Sequence, residues 1–133
     1  MKRLKRFVLC PTAGLAAIFL LVLWLGPLLR TSPELKEYRR MLGEAEELGL
    51  TYESALADPG SAAGKPVLWC VQNRGADMVT AGGDPGRRLR VVNHTEMPVF
   101  AGGKHFACTD MLLTVLGTSD GAVEVKFEYS RHI

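Results

Sequence analysis

The chain has 133 residues, 47% hydrophobic and 23% charged, with a formal net charge of +2. Lys2, Arg3, Lys5, Arg6 and Arg30 flank a single uncharged run and account for the excess, so residues 31–133 hold 11 basic against 14 acidic side chains. A net-acidic remainder excludes the broad basic face expected of a nucleic-acid-binding domain, and no nucleic acid is expected as a partner.

Phe7 to Leu29 is a run of 23 residues without a charge. At about 1.5 Å per helical residue it reaches about 34 Å, enough to cross a hydrocarbon core of about 30 Å. A basic start and an apolar middle suit both a retained anchor and a cleaved signal peptide. Cleavage requires small residues just after the apolar core. The sequence there is Trp24-Leu25-Gly26-Pro27-Leu28-Leu29-Arg30, which favours the anchor; a secreted domain after cleavage is the alternative. The four basic residues before the span place residues 1–6 in the cytoplasm and the rest outside the inner membrane. The bilayer is thus the expected partner of residues 7–29. Cys10 and Pro11 lie at the start of this span, and Trp24 suits its outer interface.

Residues 30–50 are expected to form a juxtamembrane amphipathic helix. Thr31 or Ser32 can cap it, Pro33 suits its first turn, and Glu34 stands three residues after Thr31. Leu35, Tyr38, Leu42, Ala45 and Leu48 form one apolar stripe, Glu37, Arg40, Glu44 and Glu47 the opposite side, and Gly49 the stop. A short helical turn follows from Thr51, ending before Pro59.

From Pro66 the period changes to two. Val67, Trp69 and Val71 alternate with Leu68, Cys70 and Gln72, and Trp69 reads as core. A turn at Asn73–Asp77 leads to Met78–Ala81, which continues the sheet. Gly82-Gly83-Asp84-Pro85-Gly86 is a strong turn, followed by Leu89 and Val91 in a further strand. Arg87, Arg88 and Arg90 make a local basic cluster that reads as a solvated strand face. Pro98–Ala101 is short and broken by Gly102-Gly103. Met111–Leu116 is a mostly apolar strand, Thr118-Ser119-Asp120-Gly121 a hairpin turn. In the last strand Val123, Val125, Phe127 and Tyr129 share one face. Five short strands with Gly-rich turns predict a mainly β domain over residues 51–133, a small closed or partly closed barrel.

The order Thr51-Tyr52, Leu56-Ala57-Asp58-Pro59 and Gly64-Lys65-Pro66-Val67 resembles the entry to small bacterial OB-fold proteins of the tRNA-anti-like type. The resemblance covers roughly residues 51–130, and the stretch Val99–Asp110 departs from it, leaving the third strand unplaced. It implies a five-stranded OB-like barrel. It does not carry nucleic-acid binding with it, because one fold hosts many functions. In such a barrel the first strand pairs with the fourth. Cys70 would lie on the first and Cys108 just before the fourth, which implies a Cys70–Cys108 disulfide, as an oxidising compartment allows.

No phosphate loop, nucleophile elbow or paired-carboxylate site is present. His105 and Cys108, three apart, could serve a metal or haem carrier, with His94 and Cys70 as further ligands, or a Cys/His nucleophile pair. Neither reading finds the third and fourth ligands or the orienting acid it needs; His132 lies in no motif. Asp110 and Asp120 sit in turns. Asn93-His94-Thr95 matches a glycosylation sequon. The expected function is a membrane-anchored, extracytoplasmic interaction module without catalysis or cofactor, its partner an envelope protein. The alternative is a carrier of haem or zinc through His105 and Cys108. Loops 73–77, 82–88 and 99–107 are the expected contact surface.

Overall fold

A computed structural model of the chain describes residues 32–100 and 102–130. The apolar run 7–29, with Cys10, Pro11 and Trp24, lies outside the described residues, as do Thr31 and His132. No helix among the described residues is long and apolar enough to cross a membrane.

The element order is α1 (Pro33–Leu48), α2 (Tyr52–Ala57), α3 (Pro59–Ala62), β1 (Pro66–Asn73), β2 (Val79–Ala81), β3 (Leu89–Val91), β4 (Thr109–Ser119) and β5 (Ala122–Ser130). Two 3-10 turns, His94–Glu96 and Gly102–Phe106, fill the connection from β3 to β4. The chain divides within α1, after Lys36, and the architecture described is that of Glu37–Ile133.

The domain is mainly β. Its five strands form one sheet in the order β2-β1-β4-β5-β3. Neighbours are antiparallel except β3 and β5, which run parallel. The sheet curls into a half-barrel, and its two edge strands meet at one bridge, Thr80 to Arg88. Alternate side chains of every strand turn inward, among them Val67, Trp69, Val71, Val79, Leu89, Met111, Leu113, Val115, Val123 and Val125. Tyr52, Ala55 and Ala62 of the two short helices join this core.

Local chemistry explains the short helices. Thr51 caps α2, its hydroxyl accepting from the Ser54 N–H at 3.2 Å while the Ser54 hydroxyl accepts from the Thr51 N–H at 3.0 Å. Asp58 ends α2 and caps α3, where Pro59 holds the first position. The Ser61 N–H bonds to its carboxylate and holds the Asp58 carboxyl below its ordinary range. Asp120 and Gly121 both take positive φ, as a two-residue hairpin loop closing Ser119 on Ala122 demands.

Helix α1 packs on the outside of the sheet, and its buried stripe is narrower than the sequence stripe. Met41 and Ala45 are buried with Leu112, and Tyr38, Leu68 and Tyr129 pack around them. Leu35 and Leu48, expected on the buried face, are exposed. A slip in strand pairing creates this second cluster. Leu113 pairs with Phe127 but Leu112 pairs with Tyr129, so Glu128 is an extra residue in β5. One inserted residue reverses the side-chain alternation. Tyr129 therefore leaves the face of Val123, Val125 and Phe127, where strict alternation had placed it. It turns outward to meet Tyr38 edge-on, ring centroids 5.3 Å apart. Ser130 becomes buried.

Two other expectations are corrected. Pro98–Ala101 gives no strand among its described residues; the third strand is Leu89–Val91. Strand β4 starts at Thr109, two residues before Met111.

Leu112→Ala is expected to cost about 2–3 kcal/mol, at the lower end for a buried leucine because its site opens to the outer cluster. Hydrogen exchange should rise in Tyr38–Leu48 far more than in β1, which would show that α1 docks through this residue.

Candidate functional site

The β1 end of the barrel carries the densest polar network among the described residues. Asn73, the last residue of β1, is fully buried. Its amide nitrogen donates to the Pro98 carbonyl at 2.9 Å, which fixes the orientation of the group. Its amide oxygen then accepts from the Gly75 N–H at 3.1 Å and faces His94 Nε2 at 3.0 Å, so His94 carries its proton on Nε2. The Asn73 backbone carbonyl accepts from the Phe100 N–H at 3.3 Å. One residue thereby holds the turn after β1 and the segment 94–100 together.

Asn93 does similar work beside β5. Its amide oxygen accepts from the Phe127 N–H and its nitrogen donates to the Phe127 carbonyl, both at 2.8 Å. The side chain continues the parallel β3–β5 ladder where the β3 backbone turns away. The same nitrogen donates to the Glu96 carboxylate at 2.8 Å. The Asn93 sequon is thus built into the fold: a glycan on this nitrogen would replace one of the two hydrogens it donates.

Cys70 and Cys108 form a disulfide, with Cα atoms 5.3 Å apart and 38 residues of sequence separation. It ties the end of the Gly102–Phe106 turn to the outer face of β1. Both sulfurs are committed to this bond, so neither is a thiolate for a metal or a nucleophile. His94 faces Asn73, not the cysteines. The His105 backbone lies in the 3-10 turn, and its side chain is outside the described residues. Among the described residues no three His, Cys, Asp or Glu side chains gather as a metal site.

These ties present apolar side chains to solvent. Phe106 is 75% exposed, Val99 57% and Met78 56%. Each is anchored near the end of β1. The Arg74 guanidinium lies 5.1 Å from the Phe106 ring centroid, within cation–π range. The Arg74 N–H donates to the Met78 carbonyl at 3.2 Å. Val99 lies between Pro98 and Phe100, the two residues bonded to Asn73.

On the outer face beside this mouth, Gln72 of β1, Thr80 of β2 and Arg88, just before β3, stand side by side. They border a cavity of about 230 Å³ that Arg74, Asp77 and Gly83 also line. The Thr80 hydroxyl is buried without a hydrogen-bond partner. The arginine cluster is not uniformly solvated, as its sequence suggested. Arg87 pairs with Glu53 at 2.6 Å and Arg90 with Asp120 at 3.4 Å, whereas Arg88 has no acidic partner among the described residues. Sequence reasoning singled out the three arginines and the loops. It placed Asn73 in the 73–77 turn without seeing its buried polar role and did not single out Thr80, because neither role belongs to a local motif.

Trp69 and Tyr52 support the site from below. The Trp69 indole N–H donates to the Leu50 carbonyl at 2.8 Å, and Tyr52 meets Trp69 edge-on at 6.0 Å. The Tyr52 hydroxyl donates to the Arg88 carbonyl at 3.1 Å. Burial, then the Glu53 charge, raises the Tyr52 pKa above its ordinary value. A raised folded pKa contributes stability that is present below the unfolded value and lost as pH rises through the folded one.

Comparison with protein-family models, with curated proteins and with solved structures finds no match to this chain.

Asn73→Ala is expected to cost about 2–4 kcal/mol, since it removes a fully buried amide together with its hydrogen bonds to the Pro98 carbonyl and the Gly75 N–H; denaturant unfolding measures it. Tyr52→Phe should flatten the loss of stability above pH 10, read from melting temperature against pH; an unchanged slope would assign that loss to other groups.

Proposed function

We propose that the chain is a membrane-anchored, extracytoplasmic interaction module built on an OB-like barrel, with no catalytic step of its own. The strand order supports the OB reading: β1 stands between β2 and β4, and β3 runs parallel to β5 against an otherwise antiparallel sheet, as in a five-stranded Greek-key barrel. The basic residues before an uncharged run of membrane-spanning length support the anchor and its orientation. A disulfide suits a domain in an oxidising compartment.

The observation that carries the binding role is the exposure of Phe106, Val99 and Met78 on loops that Asn73 and the disulfide hold in place. Exposed apolar side chains are ordinary when scattered. Here three of the most exposed are fixed around one strand end, with Arg74 beside Phe106. Aromatic, methionine and arginine side chains are those enriched at the centre of protein interfaces. The partner is an envelope protein that buries Phe106, with Arg74 and Arg88 facing its acidic groups.

A photo-crosslinking residue at position 106 in the full-length protein should capture an envelope protein in intact cells, and one at Lys126 on the outer face should not. Capture from both positions, or from neither, would overturn the reading. Phe106→Ser should reduce capture from position 78 about tenfold or more, as loss of a central aromatic contact does, without lowering the melting temperature. In intact cells a membrane-impermeant maleimide should label Cys70 and Cys108 only after reduction. Labelling that needs lysis and no reductant would place the domain in the cytoplasm.

A further inference from the structure

A second feature lies away from the mouth, on the side of β1 that faces away from β4. The Val115 N–H donates to the Lys65 carbonyl at 3.0 Å, so odd-numbered residues of this stretch bond towards β4. The register with β4 then runs from Pro66 to Val71 without a shift. Backbone groups in an antiparallel strand alternate in direction, so even-numbered residues bond to the other side. The Gly82 N–H donating to the Cys70 carbonyl at 2.6 Å confirms the alternation. Strand β2 covers that side only from Val71 to Asn73. The N–H and C=O of Leu68 therefore point to a side where no strand lies. Neither group has a hydrogen-bond partner on that side among the described residues.

That edge is not bare surface. It floors a groove of about 620 Å³, lined by Ala45, Gly49 and Leu50 on one side, Gly82 on the other, and Leu68 and Trp69 of β1. The groove is mainly apolar but has a charged rim. Glu46 lines it from the last turn of α1, which contains no basic residue. Acidic side chains at a helix C-terminus have the wrong sign for the helix dipole. Glu46 has no ion pair among the described residues, whereas Glu53 on the far rim is paired with Arg87. The helix rim of the groove thus holds uncompensated negative charge above an unpaired sheet edge.

We propose that this groove docks an extended peptide segment by adding a short strand to β1. The Leu68 N–H and C=O, with the Pro66 carbonyl, supply the main-chain bonds, which is the strand-addition mode of peptide recognition. Side chains on one face of the segment, apolar and of modest size, enter the groove between Leu50 and Gly82. A lysine or arginine in the segment lies against Glu46. Pro66 has no N–H and Gly82 turns across the end, so the edge accepts only a few residues and does not template open-ended pairing. The occupant is a basic, apolar, extended peptide, chemically distinct from the acidic partner surface that Arg74 and Arg88 suit.

The test is a selection of randomised nine-residue peptides displayed on phage against the immobilised full-length chain. The expected winners alternate apolar residues and carry a lysine or arginine. A synthetic winner should slow hydrogen exchange in Val67–Cys70 and quench or shift Trp69 fluorescence. Methylating its alternate backbone nitrogens should weaken binding about tenfold or more, the equivalent of about 1.4 kcal/mol. Glu46→Lys should weaken it similarly while the melting temperature is kept. The proposal is overturned if no peptide is enriched, or if winners protect residues 99–107 instead. It is equally overturned if N-methylated winners bind undiminished, or if Val67–Cys70 is already protected by self-association of the chain without peptide.

Discussion

A strand that ends inside a protein leaves its last backbone groups without a ladder, and β1 ends at Asn73, which is fully buried. The polar groups released there must find partners or cost on the order of 1–3 kcal/mol each. Asn73 meets the need itself: its amide serves Gly75, His94 and Pro98, and its carbonyl serves Phe100. The arrangement of the mouth follows. Residues 94–100 are held against the turn after β1 because the amide of Asn73 reaches both. Asn93 repeats the device on β5, standing in for a strand residue opposite Phe127. Two asparagines thus do, in an irregular stretch, what a ladder does in a regular one.

The elements set by local rules were legible in the sequence. The Asp120-Gly121 hairpin, the helical turn after Thr51 and the inward faces of β1 and of β5 as far as Phe127 depend on residues within a few positions of each other, although Pro59, read as a stop, also begins α3. What was not legible depends on partners far along the chain. The alternation of β5 reads cleanly through Tyr129, yet Glu128 is an extra residue against β4, and the true face of Tyr129 is set by Tyr38, about ninety positions away. The α1 stripe misled for the same reason: Met41 outranks Leu35 and Leu48 because only Met41 lies over Leu112. The connection 93–108 resisted reading because its order comes from Asn73, Phe127 and Cys70 rather than from its own pattern. The three arginines were visible as a cluster, but which of them is neutralised is decided by Glu53 and Asp120, in other elements.

Strand β1 divides the molecule's surface into chemically different zones. Its inward residues Val67, Trp69 and Val71 belong to the barrel core, and its outward residue Leu68 belongs to the cluster under α1. Towards Asn73 its neighbours are arginines and exposed apolar side chains; towards Pro66 its open side meets a groove whose helix rim is acidic. One short strand therefore borders two surfaces of opposite electrostatic character.

The placement of the disulfide follows from where regular structure is thin. Strands β4 and β5 are long, directly connected and paired over most of their length. Strands β2 and β3 have three residues each and meet at one bridge. The loop closed by Cys70 and Cys108 contains both short strands and both 3-10 turns. A link closing 38 residues removes chain entropy worth about 4 kcal/mol from the unfolded state. That is a large share of the 5–15 kcal/mol typical of a whole domain. It acts on the half of the barrel that has the fewest ladder bonds. The same half presents Phe106, Met78 and Val99, whose exposure gains nothing for folding. A covalent link at this position lets an apolar, weakly paired mouth stay ordered without burying those side chains.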